Sequence, residues 1–279
     1  MKPVANLLSD GRRLHLQHGP IDLIIGADGQ RNLAFKAASC RFETILNELV
    51  ADLPLLRSKL FLKTPVPQGA IARRMYEAAL PYCVKNYVTP MAAVAGSVAD
   101  EVLEAMCENA ELERAYVNNG GDIALYLAAN QRFSMAMFSH DARDLGRIEI
   151  KDTDSARGIA TSGRHGRSLS RGIADSVTAL ARNAAQADVA ATLTANKVNL
   201  QNHPAIVRKP AIEMADDSDL GNLSVVSHCG RLSPADISTA LDAGLYFATD
   251  CVNRDLTCGA ALFLQKHNRT TEHRFFYDI

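Results

Sequence analysis

Two oxygen-bearing side chains, Asp188 and Thr192, lie four residues apart in an alanine-rich stretch of the sequence. On a helix, residues at this spacing share one face. A carboxylate and a hydroxyl on one face could bind magnesium, which takes one or two protein carboxylates and fills its other positions with water and substrate phosphate. Spacing alone favours the simpler interpretation, a solvated carboxylate and a packing threonine, because this pair is common in helices.

A second group of polar side chains lies in the run Tyr116–Ile123, whose centre is Asn-Asn-Gly-Gly-Asp. Apolar residues on both sides predict two strands joined by a tight glycine turn. Adjacent glycines let a backbone or a ligand come close. The candidate ligand-binding residues of this glycine loop are Asn118, Asn119, Gly120, Gly121 and Asp122.

The strongest concentration of basic residues surrounds the tripeptide Thr161-Ser162-Gly163. Glycines expose backbone N–H groups and arginines bind phosphate through two parallel hydrogen bonds, so the composition is typical of a phosphate site. Neither of the common glycine-rich nucleotide motifs is present, and a solvated flexible loop is an equal alternative. The candidate residues are Thr161, Ser162, Gly163, Arg164, Arg167 and Arg171.

Several elements must position these groups. A helix is predicted from Thr89 to Asn109, with small residues in its first turns. Either a close-packed sheet or a ligand at the helix N-terminus would explain them, since free N–H groups there favour anions. A strand is predicted over Ser176–Ala181, an alanine-rich helix over 183–196, and a final strand over Thr271–Tyr277.

Earlier segments predict a hairpin over residues 12–26 and a helix over 31–52 that ends before Pro54. Strands over 123–127 and 133–138 are expected to pair with each other. Strands and helices alternate without a strict βαβ rhythm, which favours the α+β class. No linker or repeat marks a boundary, so a single domain over residues 1–279 is expected.

Composition narrows the function class. The 279 residues are 47% hydrophobic, and 30 basic against 31 acidic residues give a net charge of −1. This balance does not indicate a nucleic-acid-binding protein. The six scattered cysteines indicate reduced thiols, and the histidines show no metal spacing. No apolar run is long enough for a membrane span, so a cytoplasmic protein is expected.

Taken together, these stretches resemble the ApbE superfamily, and within it the branch of short bacterial and archaeal proteins. Flavin transferases of that superfamily carry a K-G-x-x-x-D helix, V-N-x-G-G-D, T-S-G, a strand beginning S-V-T, and a helix similar to D-A-x-S-T. This sequence has related elements in the same order, at Ala95–Asp100, Val117–Asp122, Thr161–Gly163, Ser176–Thr178 and Asp188–Thr192.

The resemblance implies an α+β fold related to the T-fold, with mixed or antiparallel sheets packed against helices. It also implies a flavin or a similar planar heterocycle, such as FAD or FMN, near the glycine loop. Magnesium would be bound by Asp188 and Thr192, with a backbone carbonyl near Ala95 completing the site. The transferases of this superfamily move FMN from FAD onto a threonine of an acceptor protein.

Two departures separate this sequence from the transferases. Ala95 stands where they have lysine, and their H-x-x-D-P-x-T-G segment is replaced by a shorter, more basic one over residues 164–175. Three hypotheses follow: a magnesium-dependent transferase acting on a phosphorylated flavin-like or pterin-like ligand, a non-catalytic flavin carrier or sensor, and a structural protein.

In the enzyme hypothesis, Asn118, Asn119 and Asp122 orient the ring or ribose. Arg164, Arg167 and Arg171 hold phosphate. A homodimer is also expected, since the predicted helices carry many small-residue faces.

Overall fold

A computed structural model describes residues 2–271 and 274–279 of the chain. These residues form six α-helices and fourteen strands, which confirms the α+β class. The strands are β1 (Val4–Leu7), β2 (Arg13–His18), β3 (Ile21–Gly29), β4 (Leu112–Asn119), β5 (Asp122–Leu127), β6 (Arg132–Phe138), β7 (Asp144–Lys151), β8 (Gly158–Ser162), β9 (Ser176–Ala181), β10 (Ile206–Pro210), β11 (Ser224–Cys229), β12 (Gly259–Leu264), β13 (His267–Thr270) and β14 (Phe276–Tyr277). The helices are α1 (Arg31–Leu56), α2 (Ala70–Ala79), α3 (Val94–Asn109), α4 (Ala184–Lys197), α5 (Ala211–Met214) and α6 (Pro234–Asn253).

Contacts within the chain divide it into two compact units, which are described separately. The first comprises Met1–Arg132, Lys151–Ala160 and Ala181–Val189, and the second comprises Phe133–Ile150, Thr161–Leu180 and Ala190–Ile279. The single domain over residues 1–279 stays a prediction.

The first unit is built on antiparallel strands β1 to β5, each paired with the next along the chain. Strand β8 pairs with β5, where Ile159 lies opposite Ile123. Helices α1 and α3 pack together and contribute apolar side chains such as Phe42 and Met106 to the core. The hairpin of β2 and β3 confirms the one predicted from the sequence.

Two local expectations in this unit are wrong. Helix α1 continues through Pro54 to Leu56, because a proline removes only its own N–H and the helical pattern resumes where Arg57 N–H donates to Leu53 O at 3.0 Å. Strand β5 pairs with β4 and β8 instead of β6. Asp152 fixes the chain after β5, since its Oδ2 accepts a hydrogen bond from Asn130 N–H at 2.8 Å.

The second unit contains antiparallel strands β9, β12 and β13. Strand β9 is buried at all six positions, and α6 packs against β12 and β13. Strands β14, β7 and β6 form a second sheet, and β10 pairs with β11. Of the strand predicted over Thr271–Tyr277, residues 272 and 273 lie outside the described residues.

All six cysteines are free. No helix in the described part of the chain combines the length and apolar character that a membrane span requires.

Candidate functional site

The starts of helices α3 and α4 approach each other closely in the first unit. A Cβ atom added to Gly96 would lie 2.2 Å from the carbonyl oxygen of Ala184, and atoms do not pack at that distance. Glycine is therefore required for this approach of two backbones. Close packing between helices accounts for this glycine of the small-residue stretch, whereas a ligand at the N-terminus of α3 stays a prediction.

Each of these two helices is capped by a carboxylate from the other. Asp100 of α3 accepts hydrogen bonds from the N–H groups of Ala184 and Ala185, both at 2.9 Å. Asp188 of α4 accepts one from Gly96 N–H at 3.0 Å through its Oδ2. The first N–H groups of a helix have no partner within the helix. The reciprocal caps supply such partners and fix both carboxylates in place.

Both capping carboxylates have a raised pKa. Burial and then the nearby Asp122 carboxylate raise the pKa of Asp188 well above its usual range, although N–H groups of Gly96 and Ala95 lower it. Burial raises the pKa of Asp100 to about 6, against the lowering effect of its two helix N–H donors. The charged forms of Asp188 and Asp122 repel each other, and a cation bound between them would relieve that repulsion.

The glycine loop forms a two-residue hairpin turn between β4 and β5, with Asn119 opposite Asp122. Gly120 and Gly121 adopt φ values of 66° and 115°, which only glycine reaches readily. Asn118 Oδ1 accepts a hydrogen bond from Gly121 N–H at 2.8 Å and so closes the turn. The tight glycine turn expected from the sequence is confirmed.

The side chain of Asn119 connects this turn to helix α3. It is buried, and its Nδ2 donates to the carbonyl oxygen of Ala95 at 3.1 Å. The structure therefore brings Asn119 and Ala95 together and places Asp122 within electrostatic range of Asp188.

These donors fit magnesium in type. Among residues 2–271 and 274–279 there is no group of three or more His, Cys, Asp or Glu side chains able to hold a metal, but magnesium requires only one or two carboxylates. The carbonyl oxygen of Ala95 keeps a second lone pair beyond its bond to Asn119. Thr192 lies one turn after Asp188 on α4 and belongs to the second unit.

The residues predicted to hold phosphate lie in the second unit and differ in their contacts. Thr161 Oγ1 lies 3.0 Å from Thr178 Oγ1. Ser162 ends β8, and Gly163 is buried. Arg164 contacts Asp175, with Nη2 2.7 Å from Oδ1.

The other two predicted arginines have separate surroundings. Arg167 is exposed. Arg171 is half-buried, and its Nε has no hydrogen-bond partner within the described residues. Its backbone N–H donates to Asn196 Oδ1 at 2.8 Å. Arg164 lines a cavity of the second unit that Arg167 and Arg171 do not line.

Asp175 connects three segments, a role that the sequence did not reveal. Besides Arg164, its Oδ1 lies 3.3 Å from Nε2 of His165, and its Oδ2 accepts from the backbone N–H of Gln265 at 2.6 Å. Burial and Arg164 lower the pKa of His165, whose ring stacks on His140 at 3.6 Å. The sequence feature that could have indicated this role is that Asp175 is an isolated acid at the end of the strongly basic segment 164–175.

Comparison with known proteins identifies the family. The family model described as AbpE bacteria matches residues 5–271. The chain belongs to this family. The resemblance to the ApbE superfamily that the five motifs indicated is thereby confirmed.

Curated relatives of the chain are archaeal UPF0280 proteins. UPF0280 protein MK0206 of Methanopyrus kandleri is 32% identical over 211 residues, which cover 74% of this chain and 82% of the relative. The UPF0280 protein of Methanothrix thermoacetophila is 34% identical over 184 residues, or 65% and 75% of the two chains. Among solved structures, apo flavinyl transferase ApbE of Pseudomonas stutzeri is 11% identical, with a TM-score of 0.45 and coverage of 99% and 96%.

Membership of the family gives the site of the first unit its context. The motif that contains Ala95 and Asp100 lies on α3, the glycine loop joins β4 to β5, and Asp188 lies on α4. Three segments that are distant in the sequence thus meet through the bonds of Gly96 to Asp188 and of Asn119 to Ala95.

Proposed function

We propose that this family member binds a flavin-like or pterin-like ligand that carries phosphate, together with magnesium, and acts on it as a transferase. FAD and FMN are the flavins to test first. The observation that carries the proposal is the pair of carboxylates, Asp188 and Asp122, held beside the start of α3 with the pKa of Asp188 strongly raised.

Magnesium would be held by Asp188 and Asp122 with the carbonyl oxygen of Ala95, and Thr192 is proposed as a further ligand from its helix spacing alone. When bound, the cation would supply positive charge to ligand phosphate oxygens. The Gly96 N–H keeps Asp188 in a fixed orientation, so little rearrangement is needed on binding. Asp100 is occupied by two N–H donors of α4 and is not proposed as a ligand.

The glycine loop would form one wall of the ligand site. The side-chain amides of Asn118 and Asn119 are already hydrogen-bonded to the backbone of Gly121 and of Ala95. We therefore propose that these two residues hold the turn in place and do not contact the ring directly. The exposed backbone of Gly120 is free of side-chain bulk and could approach a planar ring. Phosphate binding by Arg164, Arg167 and Arg171 stays part of the proposal, although Arg164 would have to share its guanidinium with Asp175.

Thermal unfolding with FAD or FMN, each with and without magnesium chloride, tests this function. A ligand that binds the native state raises the apparent stability. We expect stabilisation that requires both flavin and magnesium in the wild type, is lost in Asp188→Asn, and is kept in Asp216→Asn, which removes an exposed carboxylate. Asn at position 188 retains an oxygen for Gly96 N–H, so the variant should fold. Equal stabilisation of Asp188→Asn and wild type would contradict the proposal.

A second candidate is a flavin carrier or sensor without transferase activity. It is favoured by Ala95, which gives the start of α3 no side-chain cation where the transferases carry lysine. Mass spectrometry of an acceptor peptide containing threonine, incubated with the protein, FAD and magnesium, separates the two. An added FMN mass supports the transferase, and flavin binding without that mass supports the carrier.

A further inference from the structure

The second unit contains a cavity of about 780 Å³ that none of the five motifs accounts for. Its size lies within the range of about 300–1,000 Å³ typical of small-molecule sites. Six basic side chains line it: Arg143, Arg164, Arg231, Lys266, His140 and His267. We call it the cationic cavity.

The charges around the cationic cavity are not balanced. Among residues 2–271 and 274–279, Asp175 is the one carboxylate that lines the cavity, and it is bound to Arg164. Arg143 is paired with Asp141, whose Oδ2 lies 2.9 Å from Nε. Arg231 and Lys266 make no hydrogen bond or ion pair with any residue in the described part of the chain, and both are exposed. Two permanent cations therefore face the same concave surface without a partner, and an anion placed there would gain from both.

The backbone that carries Lys266 is held in an unusual conformation. Gln265 and Lys266 are the two turn residues between β12 and β13, with φ values of 44° and 71°. Turns of this type favour Asn-Gly, since other residues adopt positive φ at a cost. Such strained residues persist where their surroundings fix them, and they cluster at functional sites.

Three hydrogen bonds fix Gln265 in this turn. Its N–H donates to Asp175 Oδ2 at 2.6 Å. Its Nε2 donates to Gly230 O at 2.7 Å, and its Oε1 accepts from Leu232 N–H at 3.0 Å. The last two bonds hold the residues on either side of Arg231. Gln265 therefore fixes the backbone of Arg231 relative to that of Lys266.

We propose that the cationic cavity is a binding site for a small molecule with a diphosphate group, held by Arg231 and Lys266. A guanidinium group binds two phosphate oxygens at once, and an ammonium group supplies a mobile point charge. Ser233 and Pro234, which open helix α6, also line the cavity, and the positive end of the helix dipole adds to the attraction. Arg231 and Lys266 take no part in the magnesium site proposed above, although Arg164, which lines this cavity, is also one of the arginines proposed there to bind phosphate.

Isothermal titration calorimetry with pyrophosphate tests the site. EDTA in the buffer removes divalent cations, so failure of the magnesium proposal would leave this result unaffected. We expect the wild type to bind pyrophosphate, and the dissociation constant to rise about tenfold in Arg231→Gln and in Lys266→Gln. Affinity should also fall as sodium chloride is raised, because salt screens exposed charges.

The matched control is Arg254→Gln, which removes an arginine at the opposite end of α6. The 20 residues of that helix span about 30 Å, so binding should stay within about twofold of the wild type. Arg231 and Lys266 are exposed and unpaired, so both variants should fold, and far-UV circular dichroism checks this. The proposal is overturned if the wild type does not bind pyrophosphate, if Arg231→Gln and Lys266→Gln bind as the wild type does, or if Arg254→Gln weakens binding equally.

Discussion

At the scale of single residues, the neighbours Asn118 and Asn119 form hydrogen bonds through different atoms of their side-chain amides. Asn118 accepts a hydrogen bond through Oδ1 from Gly121 N–H, whereas Asn119 donates one through Nδ2 to Ala95 O. A change from amide to carboxylate keeps the first bond and removes the second. The two positions therefore form a matched pair for mutation.

We expect Asn119→Asp to lower the free energy of unfolding by about 1–3 kcal/mol, since a buried carbonyl loses its donor and faces a negative oxygen. Asn118→Asp should change it by much less, because its acceptor oxygen remains. Urea unfolding of both variants measures the difference. Equal destabilisation would show that the link between the glycine loop and α3 does not stabilise the fold.

The carboxylates of the first unit also differ in role at this scale. Asp100 accepts hydrogen bonds from two N–H groups of α4, whereas Asp188 accepts one from Gly96 N–H of α3 and also lies within electrostatic range of Asp122. Asp100 is therefore expected to contribute to stability and Asp188 to cation binding. Their positions in the sequence alone do not separate these roles.

At the scale of elements, the contact between α3 and α4 depends on the absence of a side chain at Gly96. We expect Gly96→Ala to lower the free energy of unfolding by about 2 kcal/mol or more, because the new methyl group would overlap the backbone of Ala184 and a packed core resists such insertion. Chemical denaturation measures this change.

Gly166→Ala is the control for this substitution. Its Cβ atom would meet only Gly163 O, at 3.4 Å, and the position is exposed. Its stability should remain close to that of the wild type. If both variants unfold at the same denaturant concentration, the close approach of the two helices is not a source of stability.

The burial of Asp100, which outweighs the effect of its two N–H donors, predicts a pH dependence. Its pKa is raised from 3.8 to about 6 in the folded protein, so the folded state binds more protons than the unfolded state between these values. The contribution of Asp100 to stability is then fully present below pH 3.8 and is lost as pH rises through about 6. A shift of about two pKa units corresponds to about 3 kcal/mol.

Asp100→Asn removes this titration. The free energy of unfolding of the wild type, relative to that of Asp100→Asn, should therefore fall as pH increases from about 4 to 7. Urea unfolding at several pH values gives both curves. A relative stability that is constant or rises with pH would refute the raised pKa of Asp100.

The elements themselves were largely predictable from local patterns. Strand β9 and the alanine-rich helix α4 form where apolar runs and helix-forming residues predicted them, and the glycine turn between β4 and β5 follows from its Asn-Asn-Gly-Gly-Asp sequence. Reciprocal capping was not predictable, because Asp100 and Ala184 are 84 residues apart and periodicity reports only local structure. The pairing of β5 with β8 was missed for the same reason.

At the scale of the whole molecule, each unit has its own concentration of charge. The first contains the carboxylates Asp122 and Asp188, and the second contains the cationic cavity. The motifs shared with the ApbE superfamily indicated the first. Of the residues that line the cavity, the basic segment indicated Arg164. Nothing local indicated Arg231 and Lys266, whose backbones are brought together by the bonds of Gln265 to Gly230 and Leu232.

Assembly is a further property of the whole molecule. In the first unit, Leu62 and Val84 are 70% and 71% exposed, and a second copy of the chain that covered these side chains would remove apolar surface from water. We expect native mass spectrometry to show a dimer with twice the chain mass of 30.2 kDa. A spectrum containing only the single-chain mass at micromolar concentration would contradict this expectation.

We propose that the first unit binds a divalent cation through Asp188 and Asp122. Titration of magnesium into the purified protein, followed by calorimetry, tests it directly with Asp188→Asn, Asp122→Asn and the control Asp216→Asn. We predict that magnesium binds to the wild type and to Asp216→Asn with similar affinity and at least tenfold more weakly to the other two variants. Binding that is equal in all four proteins, or absent from the wild type, would contradict the claim.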